Sequence, residues 1–84
     1  MSYSLLILRP AQKQLARLPT ELYERVKESI LRLAREPRPF GCKKLTGRPG
    51  WRIRVGNQRV IYEIDDERAV VTVLDIGHRR DIYA

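Results

Sequence analysis

The sequence predicts an α+β domain in which an N-terminal strand and a helical hairpin precede an antiparallel sheet, in the order β-α-α-β-β-β. Three observations carry this. Pro10 and Pro19 each open a segment whose apolar residues recur at helical spacing. Past Trp51 the apolar period shortens from 3.6 to 2, and Gly56-Asn57 interrupts that alternation as a two-residue hairpin turn does. The 84 residues are expected to form one domain, 1–84, since a chain of this size holds one packed core and not two.

Residues 3–9 read as a strand, with Tyr3, Leu5 and Ile7 alternating with Ser4, Leu6 and Leu8, apolar on both faces. Pro10 ends it and suits the first turn of a helix, where its missing N–H costs nothing. Ala11, Leu15 and Leu18 then share one helical face, and Pro19 separates this helix from the next. The second helix is predicted over residues 20–35, where Leu22, Val26, Ile30 and Leu33 form one apolar stripe. Glu21 and Glu24 in its first turn and Arg32 and Arg35 in its last agree with the helix dipole. Pro37 and Pro39 open a loop that runs to Gly50. Trp51, Ile53 and Val55 alternate with Arg52 and Arg54, residues 58–64 return from the turn, and Asp65-Asp66-Glu67 makes the next one. Residues 69–76, rich in β-branched side chains, read as an interior strand.

Charge supplies the first functional clue. Seventeen Lys and Arg against ten Asp and Glu give +7, and the excess is not spread evenly. Between Glu36 and Glu63 there is no acid, yet Arg38, Lys43, Lys44, Arg48, Arg52, Arg54 and Arg59 all fall there. A surface built only for solubility mixes its signs; this one points to a polyanion such as RNA. Strand parity sharpens the point. If Trp51, Ile53 and Val55 face the helices, Arg52 and Arg54 face away. A two-residue turn sets Val55 opposite Gln58 and Arg54 opposite Arg59, and like charges so placed repel unless an anion joins them. Arginine's planar fork matches a phosphate in two-point contact.

Other chemistry is poorly supplied. One histidine and one cysteine do not build a zinc site without several carboxylates, Asp65-Asp66-Glu67 reads as a turn, and Gly47 and Gly50 flank Pro49 in a surface loop that is no phosphate-binding motif. No metal and no cofactor are expected. Cys42 lacks a base and is read as inert. A lone cysteine excludes an internal disulfide and argues for a reducing compartment, and Leu5-Leu6-Ile7-Leu8 is too short to span a membrane, so the expected location is the cytoplasm.

The segments Lys44-Leu45-Thr46-Gly47, Trp51-Arg52-Ile53-Arg54-Val55-Gly56, Arg59-Val60-Ile61-Tyr62 and Gly77-His78-Arg79-Arg80-Asp81-Ile82-Tyr83 resemble, in content and order, the RelE/ParE superfamily of toxins from type II toxin-antitoxin systems. Within it the chain looks closer to the RelE-type branch of mRNA interferases. The resemblance implies a RelE-like fold and a ribosome-dependent endoribonuclease that cuts mRNA in the ribosomal A site and inhibits translation. It also implies neutralisation by a cognate, RelB-like antitoxin in a hetero-oligomer. Arg52 and Arg54 match the family's two basic positions on its first catalytic strand, where better-studied members carry lysine. Arg59 matches the arginine of the next strand, Arg79 the arginine that follows the last strand, and Tyr83 the C-terminal tyrosine. Gln58 stands where the family commonly has an aromatic residue.

Metal-free RNA cleavage requires a 2′-OH to lose its proton and attack the neighbouring phosphorus while the 5′-oxygen gains a proton and leaves. Arg54, Arg59 and Arg79, with Arg52, supply fixed positive charge where negative charge develops. Arginine does not pass protons, its pKa exceeding about 12. That leaves Tyr83, as general base or as a stacking partner for a base of the RNA, and His78, as general acid; otherwise the leaving group draws its proton from water or the ribosome. Lys43, Lys44, Arg48, Arg52 and Arg80 are the expected RNA-binding residues. Two further readings remain: a ParE-like inhibitor of DNA gyrase that acts by binding, and a basic RNA-binding module without catalysis.

Overall fold

The computed structural model describes residues 2–78. Strand β1 (Ser4–Ile7) leads into a pair of helices, α1 (Arg9–Ala16) and α2 (Thr20–Leu33). Four strands follow: β2 (Lys43–Lys44), β3 (Trp51–Val55), β4 (Gln58–Asp65) and β5 (Val70–His78). The five strands form one sheet in the order β1-β5-β4-β3-β2.

The helices form where sequence pattern and prolines require. Pro10 lies in the first turn of α1, and Pro19 caps α2 in extended geometry, so each proline withholds an N–H that no helical carbonyl would have received. Gln12 folds its side-chain amide back onto the Ile7 carbonyl at 2.7 Å, joining α1 to β1. The apolar stripe of α2 buries Val26, Ile30 and Leu33 completely or nearly so, and Leu22 packs beside them. From α1, Ala11 enters the same core, with Leu15 and Leu18 at its margin. Ile53, Val55, Val60, Tyr62, Val71, Val73 and Ile76 meet them from the sheet. Gln14 reaches from α1 to accept the Ile76 N–H at 2.8 Å, satisfying a sheet donor beneath the helix.

Three features differ from the sequence prediction. The sheet is mixed: β1 runs parallel to β5, Ser4 beside Val70 and Ile7 beside Val73. The chain between them, two helices and strands β2 to β4, is ample for the crossover that parallel neighbours need. The loop expected from Pro37 to Gly50 contains β2, whose Lys43 and Lys44 pair with Arg52 and Trp51. Finally, α2 ends at Leu33 with Ala34 as its cap, so Arg35 lies past the helix.

One polar cluster ties the segments together at the end of the sheet where β1 begins. The Tyr3 hydroxyl donates to Asp66 at 2.6 Å, and Arg38 grips the same carboxylate through both terminal nitrogens at 2.8 and 3.3 Å. The Arg38 guanidinium lies 5.2 Å from the centroid of Trp51, and the Lys44 ammonium 5.3 Å from it. Chiefly through its hydrogen bond from Arg38, the Asp66 carboxyl is held below the usual carboxylate range. Chiefly through its bond to Asp66, the Tyr3 phenol is raised above its ordinary value.

Candidate nucleic-acid interface

The turn at Gly56-Asn57 sets the register of the β3–β4 hairpin. Gly56 takes a positive φ of 58°, and the pairing that follows is Val55 with Gln58, Arg54 with Arg59, Ile53 with Val60 and Arg52 with Ile61. Cross-strand neighbours share a face. Trp51, Ile53, Val55, Val60 and Tyr62 therefore lie on the helix side, in or against the core. Arg52, Arg54 and Arg59 lie together on the side the helices leave uncovered, as strand parity predicts.

The three arginines differ in depth. Arg54 is exposed, Arg52 is partly covered, and Arg59 is only 6% exposed. The prediction placed Arg59 on an open face; it is instead almost wholly covered. Ile61 is fully buried on this same face, opposite Arg52, so the floor of the site is apolar in part. A guanidinium stays charged when buried, and its field is stronger where water is scarce.

Of the remaining basic residues, Lys43 pairs with Arg52 and joins the arginine face. Lys44 pairs with Trp51 and lies against that ring, on the opposite side. Arg48 is exposed in the loop between β2 and β3. His78 is exposed at the end of β5, in register with Gln58, and alternation puts it on the side of Ile76, not of Arg59. The structure thus does not bring His78 onto the arginine face. Arg79, Arg80 and Tyr83 lie outside the described residues.

One neighbour escaped the sequence reading. The β4–β5 ladder slips between Ile61 and Tyr62, so that Ile61 pairs with Asp75 while Tyr62 pairs with Val73. The extra residue shifts the phase of β5: Val71 and Val73 face the core, and so does Ile76. Asp75, partly covered, consequently joins the row Lys43, Arg52, Ile61 on the outer face. The spacing of apolar residues 71, 73 and 76 was the available signal. Among the described residues, no three His, Cys, Asp or Glu side chains converge as a metal-ligand set, and no helix is long and apolar enough to cross a membrane.

A mixed sheet backed by two helices, with arginines paired across its uncovered face, defines a class of small basic toxins, and comparison with known proteins agrees. Residues 5–83 match the family model described as the ParE toxin of type II toxin-antitoxin systems. Toxin RelG of Mycobacterium tuberculosis is 34% identical over 99% of this chain and 98% of its own length. The mRNA interferase toxin RelE of Escherichia coli is 29% identical over 100% of this chain and 93% of its own. Among solved structures, the archaeal RelE–RelB complex from Pyrococcus horikoshii superposes with a TM-score of 0.83 at 33% identity, covering 94% of this chain and 97% of that one. The chain belongs to the ParE toxin family, and within the RelE/ParE superfamily it is a type II toxin of RelE type.

Proposed function

We propose that this toxin is a metal-independent endoribonuclease that cleaves mRNA in the ribosomal A site. The observation that carries the reading is the register that puts Arg54 beside Arg59 and Arg52 beside Lys43 on one uncovered face. Cations set this close on one face are placed for a phosphodiester to join them. The name of the Escherichia coli relative, mRNA interferase, agrees with the same substrate.

In the proposed reaction Tyr83, favoured as phenolate by nearby guanidiniums, takes the proton of a 2′-OH. The O2′–P bond forms as the P–O5′ bond breaks, Arg54, Arg59 and Arg79 hold the non-bridging oxygens, and the departing 5′-oxygen takes its proton from water or the ribosome. Products are a 2′,3′-cyclic phosphate and a 5′-hydroxyl. Arg52 and Lys43, with Arg48 and Arg80, hold the flanking backbone, while Lys44 lies against Trp51 on the opposite side. His78, on the helix side of β5, stands outside this chemistry, so its variant should slow the reaction far less than that of Arg79. The arginine face also suits an acidic or amphipathic segment of a RelB-like antitoxin, in a hetero-oligomer held in the cytoplasm with the ribosome.

Primer extension on mRNA from programmed ribosomes tests the proposal. Wild type should cut within the A-site codon, Arg79→Ala and Tyr83→Phe should abolish the cuts, and His78→Gln should leave them in place. Intact mRNA with wild-type toxin, together with inhibited DNA gyrase, establishes the binding-inhibitor alternative instead.

A further inference from the structure

Phe40 is fully exposed, more so than any other large apolar side chain among the described residues. A single exposed apolar residue is ordinary on a protein surface; the setting of this one is not. With Gly41, Lys43, Arg52, Ile53 and Arg54 it lines a cleft of about 320 Å³ beside β3. That volume lies at the lower end of the roughly 300–1,000 Å³ typical of small-ligand sites. Three of the six lining residues are cations and none is an acid.

The loop that carries Phe40 is braced on both sides. The buried Pro37 carbonyl accepts the Tyr62 hydroxyl at 2.7 Å, and Arg38 is anchored to Asp66 and Trp51. Beyond Phe40, the Cys42 N–H closes a turn onto the Pro39 carbonyl at 3.0 Å, with Gly41 at a φ of 93°. Proline on one side and a glycine conformation on the other leave the ring few ways to withdraw.

We propose that Phe40 is the stacking platform of a nucleobase subsite, with Lys43, Arg52 and Arg54 holding the phosphates on either side of the stacked base. An aromatic face among cations is the arrangement by which proteins hold single-stranded nucleic acid, and bare phosphate contacts would not need the ring. The inference deepens the ribonuclease reading, since it rests on single-stranded RNA being the ligand of this face, but it concerns binding and not cleavage.

The test measures affinity of the purified toxin for a single-stranded 2′-O-methyl RNA hexamer, which resists cleavage, and for the same backbone with abasic sugars. Phe40→Ala should weaken hexamer binding by about 5- to 100-fold and leave abasic binding unchanged, while Phe40→Trp should bind the hexamer like wild type. Arg54→Ala should weaken both ligands. Since Phe40 is outside the core, melting curves of both variants should match wild type. Equal hexamer affinity in wild type and Phe40→Ala overturns the subsite, as does an equal loss for the abasic strand. Base-dependent binding lost in Phe40→Ala keeps the subsite even where ribosomes show no cleavage, so its failure and that of the nuclease reading are separable.

Discussion

Replacing Tyr62 by phenylalanine removes one oxygen and tests how the basic loop is held. The ring is fully buried, and its hydroxyl donates to the carbonyl of Pro37, itself buried, at 2.7 Å. Phenylalanine keeps the packing but leaves that carbonyl without its partner. Stranding a buried acceptor costs about 1–3 kcal/mol, and for a domain of this size each kcal/mol moves the midpoint by roughly 4–8 °C, so a fall in Tm of about 5–20 °C is expected. Tyr23→Phe serves as the control: its half-buried phenol makes no hydrogen bond among the described residues, and the change should stay within about 0.5 kcal/mol. Burial, with the Cys42 thiol as a lesser cause, pushes the Tyr62 phenol well above its ordinary value. Its folded pKa is therefore higher than its unfolded one, so the wild-type advantage is complete below pH ~10 and shrinks as pH rises beyond it. Thermal melts by circular dichroism between pH 7 and 11 read both effects. A Tyr62→Phe variant as stable as wild type at pH 7 refutes the account of the loop's anchorage.

Asp66→Asn should destabilise the protein at neutral pH, since it breaks the double contact with Arg38. Because the folded carboxyl lies below its ordinary value, that difference should be full above pH ~4 and vanish as acid protonates the wild-type group, which melts from pH 2 to 6 would follow. Arg54→Ala should remove a like-charge neighbour of Arg59, leaving the melting temperature equal or higher, while lowering the slope of log affinity for single-stranded RNA against log salt by about 0.7. A lower melting temperature with an unchanged slope would mean that Arg54 serves the fold and not a phosphate.

Local signals were legible in the sequence, and pairings between distant segments were not. Gly56-Asn57 specified the turn, the turn specified the register, and the register placed Arg52, Arg54 and Arg59 on one face. The prolines and the 22-26-30-33 stripe located both helices. By contrast, nothing in residues 4–7 announces a parallel partner in β5, and two-residue β2 is too short to show alternation. The slip at Ile61/Tyr62 turned Asp75 toward the arginines through a bulge that a strict period of 2 cannot express. The depth of Arg59 is not visible in an alternating pattern, which gives the face of a side chain and not how far it is covered. Phe40 was passed over because a lone apolar residue in a loop has no periodicity to betray it.

The parallel ladder between the first strand and the last has a consequence for synthesis. Ser4 finds Val70, and Tyr3 finds Asp66 63 positions away, only after the segment carrying both late partners has left the exit tunnel. Such distant closures slow folding, and here they postpone it until residues 66–73 are free to pair. The first strand is thereby kept without its ladder while the last is still inside the ribosome that makes it.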